Sequence, residues 1–323
     1  MDKPLSIATR QSPLALAQAF SVRAMLGRAA NIDKDQWEEA FPLKTFVTIG
    51  DRNLQSSLAD VGGKGLFVKE IEAALLEGEA DIAVHSMKDM PAEMPPGLVQ
   101  GAVPAREDPR DAFVTVDGKT IADLPQGSVI GTSSVRRAAQ LLRMRPDLTI
   151  VPFRGNVATR LEKLGHGVAQ GTFLAEAGLR RLGLGEVRRH LMPMDAMLPA
   201  LGQAALLLQT RADGAQVLSL LKTVQCQKTA LETAVERGFL AQLDGSCRTP
   251  MAGHATLAEG VIHFRAEILT PDGKLHRSLD ELITLEPGLF DEQLTTARSA
   301  GEACASRLLQ EAEPELRHAL ASR

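Results

Sequence analysis

The chain has no tyrosine, one tryptophan and ten phenylalanines among its 323 residues. Platforms that stack the bases of single-stranded nucleic acid need aromatic faces, and this sequence offers few. Its three cysteines, Cys226, Cys247 and Cys304, cannot pair completely, and none makes a C-x-x-C. Met1-Asp2-Lys3-Pro4 leads straight into an apolar run without a leader-like segment, so reduced thiols in the cytoplasm are expected. The seven histidines show no H-x-x-x-H spacing and no clustering with cysteine, and no metal site is expected. The longest uncharged run, 196–210, is interrupted by Pro199 and Gly202 and is too short to cross a bilayer. No coiled-coil pattern demands assembly, so a monomer is the expectation.

What is present is a soluble globular composition, 44% hydrophobic and 24% charged, at a length that suggests two or three domains. The net charge of −4 argues against a polyanion as partner of the whole molecule. Charge is nonetheless uneven. Between Ile130 and His190 there are ten arginines and one lysine against four acids. An arginine excess suits planar, bidentate binding of several carboxylates or phosphates, although a solvated basic face would have the same composition.

Strands are expected at 5–8 and 43–48. Between them Ser12-Pro13 starts a helix to about Ala29, with Ser as N-cap and Pro at the first helical position. The polar stretch 50–65 holds Gly62-Gly63-Lys64-Gly65 and suits a lid. A helix over 67–76 gathers Val68, Ile71, Ala74 and Leu75 on one face and stops at Gly78. Ile82 to Val84 then reads as a short buried strand. It ends in a turn presenting one amine, Lys88, and one carboxylate, Asp89, ahead of Pro91 and Pro95-Pro96. Ligands of open α/β sheets sit beyond the carboxyl ends of strands, which makes Asp89 a candidate for chemistry, although such residues often serve only as turn formers.

A second unit of the same style follows Arg106-Glu107-Asp108-Pro109-Arg110. Strands at 129–130, 148–153 and 173–174 alternate with helices, one beginning after Gly131-Thr132-Ser133-Ser134, one bearing Arg160, and one carrying Arg180 and Arg181. The alternation implies mostly parallel sheets in both units. In each unit a strand passes through a small hydroxyl turn into a helix start, at Thr9-Arg10-Gln11-Ser12 and at Thr132-Ser133-Ser134. Free backbone N–H groups and the helix dipole make such starts anion sites, and two units so equipped form a two-lobed binding architecture. Residues 201–210 read as a strand returning to the first unit. From Gln227 the pattern becomes helix, strands at 254–257, 261–270 and 275–279, and a helix over 291–310, a small antiparallel α+β domain. The expected division is 1–104 with 200–222, then 105–199, then 223–323.

Cys304 falls on the apolar face Leu294, Ala297, Gly301, Cys304, Leu308, a core position. Cys247 instead lies in Gly245-Ser246-Cys247-Arg248, where the neighbouring guanidinium favours thiolate. It is either an incidental loop thiol or a point of covalent attachment.

Several blocks, in order, resemble the porphobilinogen deaminase (hydroxymethylbilane synthase) family. They include Ile7-Ala8-Thr9-Arg10-Gln11-Ser12-Pro13, Gly62-Gly63-Lys64-Gly65-Leu66-Phe67, Ala83-Val84-His85-Ser86-Met87-Lys88-Asp89, Gly131-Thr132-Ser133-Ser134-Val135-Arg136-Arg137, Arg154-Gly155-Asn156-Val157 and Leu243-Asp244-Gly245-Ser246-Cys247-Arg248-Thr249-Pro250. The resemblance covers nearly all of the chain to about residue 255. It implies two lobes like those of periplasmic binding proteins and a third domain carrying the cofactor cysteine. It also implies a transferase that joins four porphobilinogen molecules head to tail, each losing ammonia, on a dipyrromethane primer fixed to Cys247. Asp89 would be catalytic, stabilising the cationic methylene-pyrrolenine left by ammonia. Lys88, Ser133, Ser134, Arg136, Arg137, Arg154 and Arg160 would bind the cofactor with Cys247. Arg10, Ser12, Lys64, Arg154 and Arg181 would bind substrate. The pattern departs from the family at Asp60, Gln170, Ala204 and Gln209, where a basic residue, an Asp-Ala pair, a glycine and an acid are usual. Two other readings compete. A binding protein for a small anionic ligand would explain the arginines but not Asp89, Cys247 or the third domain. A nucleic-acid binder would need the arginines along one helix and interleaved aromatics, which are missing.

Overall fold

A computed structural model of the chain describes residues 3–48, 65, 68–243 and 250–321. Among them run β1 (Ile7–Arg10), β2 (Leu43–Phe46), β3 (Ile82–Ser86), β4 (Leu98–Ala102), β5 (Asp111–Thr115), β6 (Val129–Gly131) and β7 (Thr149–Val151). Then follow β8 (Gly171–Ala175), β9 (His190–Leu191), β10 (Leu206–Arg211), β11 (Met251–Ala258), β12 (Val261–Leu269) and β13 (His276–Thr284). The chain divides into two units, Met1–Glu107 with Ala204–Ala230, and Asp108–Gln203 with Leu231–Arg323.

The first unit holds a five-stranded sheet in the order β2-β1-β3-β10-β4. β1 pairs parallel with β2 and β3, whereas β10 runs antiparallel to both β3 and β4. The second unit repeats the plan in the order β7-β6-β8-β5-β9. There β6 pairs parallel with β7 and β8, and β5 opposes β8 and β9. In each sheet four strands share a direction and one opposes them. The fold class is thus the expected α/β, with a separate three-stranded antiparallel sheet, β11-β12-β13, near the C-terminus.

Strand alternation covers both faces of each five-stranded sheet. In the first, Ile7, Ile82, Val84 and Leu208 pack on Ala19, Val22 and Leu26 of the helix Pro13–Ala29. Their neighbours Ala8 and Ala83 point the other way, onto Ile71, Ala74 and Leu75 of the helix Lys69–Leu76. In the second, Phe113, Ile130 and Phe173 meet Leu141, while Ala112, Val114 and Leu174 meet Phe153, Leu164 and Leu179. Burying each of these larger side chains is worth about 1.5–3 kcal/mol.

Helix starts follow their caps. Ser12 Oγ accepts from the N–H of Ala15, with Pro13 as first helical residue. Ser134 Oγ accepts from Arg137 N–H, and Asn156 Oδ1 from Thr159 N–H. In the second unit the helix Phe290–Glu311 and the part of the helix Gln227–Gln242 from Leu231 onward approach closely at two glycines. A Cβ on Gly238 would lie 2.0 Å from the Arg298 carbonyl oxygen, and one on Gly301 2.0 Å from that of Val235. Cys304 lies in this core, and burial raises its thiol pKa.

Candidate functional site

In the first unit, β1 and β3 are parallel neighbours in register, Ile7 opposite Ile82 and Ala8 opposite Ala83. Their carboxyl ends therefore emerge side by side. β1 ends at Arg10, and two residues later Ser12 caps its helix. β3 ends at Ser86 and passes into a 3₁₀ turn, Met87–Asp89, that carries Lys88 and Asp89. Arg10, Ser12 and Asp89 consequently line one pocket, together with Gln18, His85 and Ser86. Gln18 is buried and bonded to Ser86, its Nε2 donating to Oγ at 2.8 Å. Lys88 and Asp89 are both half-buried. This pocket joins a guanidinium, hydroxyls and one carboxylate, a set able to hold an acidic molecule and to face a positive charge forming on it.

In the second unit, the helix Val135–Met144 begins with Arg136 and Arg137, both buried. Each is held from inside. Arg136 Nη1 donates to Asp111 Oδ2 at 2.7 Å and to the Leu198 carbonyl at 2.7 Å. Arg137 Nη2 and Nε reach Asp111 Oδ1 at 2.7 and 3.1 Å, and its Nη1 donates to the Phe173 carbonyl. Gln203 adds a fourth donor to Asp111, at 2.9 Å, and also binds the Pro109 carbonyl. Burial alone would raise the Asp111 carboxyl; the two guanidiniums outweigh it and hold the group far below the usual carboxylate range.

One carboxylate on two guanidiniums leaves a surplus positive charge, and further cations lie nearby. Burial pushes the Arg160 guanidinium down to about 10, and the charges of Arg137 and Arg154 push in the same direction. Arg160 Nε donates to the Gly155 carbonyl, at the turn where Gly155 has φ +118°. Ser133 Oγ accepts from Phe153 N–H, and Ser134 Oγ from Arg137 N–H, which leaves each hydroxyl proton to donate. Close guanidiniums at a helix start form an anion site.

The structure thus gathers Arg10, Ser12, Lys88 and Asp89 in one unit, and Ser133, Ser134, Arg136, Arg137, Arg154 and Arg160 in the other. Arg181 is the last residue of the helix Glu176–Arg181, half-buried. Lys64 and Cys247 lie outside the described residues, as do Asp60 and Arg248. Among the described residues no group of three His, Cys, Asp or Glu could hold a metal ion. Sequence reasoning missed Asp111, whose strand Asp111–Thr115 begins immediately after a charged link, and it missed Gln18, His85 and Ser86 as pocket-lining residues. The signal for His85 and Ser86 was their place at the carboxyl end of the strand leading to Asp89.

A family model described as porphobilinogen deaminase, dipyromethane cofactor binding domain, matches residues 5–219. A second, porphobilinogen deaminase, C-terminal domain, matches residues 230–310. The chain is 52% identical over 272 residues to the porphobilinogen deaminase of Paracoccus denitrificans (strain Pd 1222), covering 84% of this chain and 86% of that one. To the porphobilinogen deaminase of Caulobacter vibrioides (strain NA1000 / CB15N) it is 50% identical over 274 residues, 84% of this chain and 85% of that one. Among solved structures, the periplasmic aliphatic sulphonate binding protein SsuA from Escherichia coli matches at a TM-score of 0.38 and 13% identity, over 76% of this chain and 71% of that chain. The chain belongs to the porphobilinogen deaminase family.

Proposed function

We infer that this chain is a transferase that joins four porphobilinogen molecules head to tail, releasing ammonia, to give hydroxymethylbilane for tetrapyrrole synthesis. The observation that carries this reading is the family match, which spans both α/β units and the C-terminal region. Its cofactor is dipyrromethane, a primer bearing acetate and propionate side chains. The second-unit site fits such a group, because Arg137, Arg154 and Arg160 crowd positive charges together that anionic side chains would relieve.

On this reading Ser133, Ser134, Arg136, Arg137, Arg154, Arg160 and Lys88 hold the cofactor, and Cys247 anchors it by a thioether within a cofactor domain spanning 223–323. When bound, dipyrromethane supplies the pyrrole carbon to which the first monomer is joined. Arg10, Ser12, Lys64, Arg154 and Arg181 bind the carboxylates of porphobilinogen. Asp89 faces the positive charge that develops as ammonia leaves and accepts pyrrole N–H bonds. A fixed carboxylate in a water-poor site is worth several kcal/mol of barrier. We also propose that the enzyme works as a cytoplasmic monomer with reduced thiols; among the described residues Cys226 and Cys304 are unpaired.

The reading is tested by incubating the purified protein with porphobilinogen and following ammonia and hydroxymethylbilane together. Four ammonia per tetrapyrrole is expected. Binding of porphobilinogen without ammonia release would contradict it and favour a binding protein.

A further inference from the structure

Ahead of the helix Val157–Gly165 the chain turns through Phe153, Arg154, Gly155 and Asn156, and each residue of that turn is tied down. The N–H of Phe153 donates to Ser133 Oγ at 2.9 Å. Its ring is buried against Gly131, where an added Cβ would lie 2.4 Å from it. Gly155 has φ +118°, and a Cβ there would lie 2.7 Å from Thr159 Cγ2, so only glycine fits. Asn156 caps the helix through Thr159 N–H. The carbonyls of Arg154 and Gly155 are taken by cations of the helix itself. Arg160 Nε donates to that of Gly155 at 2.9 Å, and Lys163 Nζ to that of Arg154 at 2.9 Å.

Arg160 and Lys163 are three residues apart on one face, and helical side chains lean toward the N-terminus, so both reach back over the turn. For Lys163 this direction is unusual. It sits in the last turn of its helix, where a cation ordinarily complements the negative end of the dipole. Its ammonium instead points toward the positive end, 6.0 Å from the centre of the Phe153 ring. There the charges of Arg154 and Arg160 already oppose each other. Electrostatics alone would not place a third cation at such a turn. A lysine only donates and a carbonyl only accepts, so the sense of the bond is fixed.

We propose that Lys163 is a positioning residue, which holds the Arg154 carbonyl and so fixes the backbone from which the Arg154 guanidinium meets the carboxylates of the pyrrole chain. The proposal rests on the reading of this site as the one that binds cofactor and substrate. The need for such a bond follows from the turn. Glycine is required at 155, and the same freedom lets the peptide ahead of it rotate. The Lys163 bond removes that freedom without adding a side chain to the site. Arg160 holds the next carbonyl from the same helix, and its own guanidinium projects from that helix whether or not Lys163 is present.

The test compares Lys163→Met, which keeps the length and loses the donor, with Lys163→Arg, which keeps a cationic donor. Each is made with and without Arg154→Gln. Labelling with ¹³C-carbonyl arginine and ¹⁵N glycine marks the two Arg-Gly peptides of the chain, Arg154–Gly155 and Arg237–Gly238. Lys163→Met should shift the first signal and leave the second in place. In the holoenzyme it should raise KM about three- to tenfold with kcat within about twofold, and Lys163→Arg should recover most of the loss. With Arg154→Gln present, Lys163→Met should change KM by less than about twofold, because no guanidinium remains to be directed. Equal effects with and without Arg154 would overturn the proposal, as would an unmoved Arg154–Gly155 signal. So would a Lys163→Met protein that fails to fold, since the lysine would then be structural. A wild type that carries no dipyrromethane and consumes no porphobilinogen would overturn the underlying reading instead, whatever the peptide signals show.

Discussion

Arg137 grips one oxygen of Asp111 twice, through Nη2 at 2.7 Å and Nε at 3.1 Å. The other oxygen lies 2.7 Å from Arg136 Nη1. These contacts let a cationic site exist without its ligand. Asp111 and two backbone carbonyls fix the guanidiniums in place, and on the proposed reading the positive charge left over meets the acids of the cofactor.

Asp111→Asn should therefore act mainly on stability. It removes the negative partner of two buried guanidiniums and leaves them uncompensated, a loss of about 3–5 kcal/mol. Urea unfolding would measure it, and a loss below about 1 kcal/mol would contradict this account of the site.

Asp89→Asn should act on the chemistry. The shape of the turn is kept and the charge is lost, so the protein should still carry its cofactor while product formation falls by about 10²–10³-fold. Intact mass and single-turnover assays read the two effects separately. A variant working at the wild-type rate would remove Asp89 from the mechanism.

Much of this was legible in the sequence where the cause is local. Ser12-Pro13 marked the start of the helix Pro13–Ala29, Gly78 with φ +74° ended the helix Lys69–Leu76, and the 3/4 spacing around Cys304 located a core face. The turn at Asp89 was legible because the apolar run before it is short and ends abruptly. Contacts that join distant residues were not legible. Asp111 meets Arg136 across 25 residues and Gln203 across 92, and nothing in a charged link announces a buried carboxylate. Gln209 meets Glu72 across 137 residues, so as a sequence feature it was only a departure from a usual acid. Ala204, another departure, adopts φ +71°, a left-handed conformation that glycine would take with less strain.

His85 predicts a pH dependence of stability. Burial lowers its ring to about 4 in the folded protein against 6.5 ordinarily. Between those values the unfolded chain binds the additional proton, so stability rises with pH and is lost as pH falls from 6.5 toward 4. The loss amounts to about 3 kcal/mol. His85→Asn should flatten the difference in urea stability between pH 7 and pH 4.5. An unchanged difference would assign that dependence to other groups.

Arg160→Gln should slow cofactor acquisition. Losing one charged hydrogen-bonding partner is worth about 1.5–3 kcal/mol, or roughly 10- to 150-fold in the affinity for the primer. Arg160→Lys keeps charge but not the planar fork and should fall between. The holo fraction after timed incubation of apo-protein with porphobilinogen would rank the three proteins; equal fractions would place Arg160 outside the cofactor site.

The central claim is that this chain assembles porphobilinogen on a primer bound to Cys247. The most direct test is the intact mass of the purified protein under denaturing conditions, with the adduct mapped to a peptide. The account predicts the added mass of a dipyrromethane on the Cys247 peptide, absent from Cys247→Ala. A bare chain that gains no mass after incubation with porphobilinogen would contradict it.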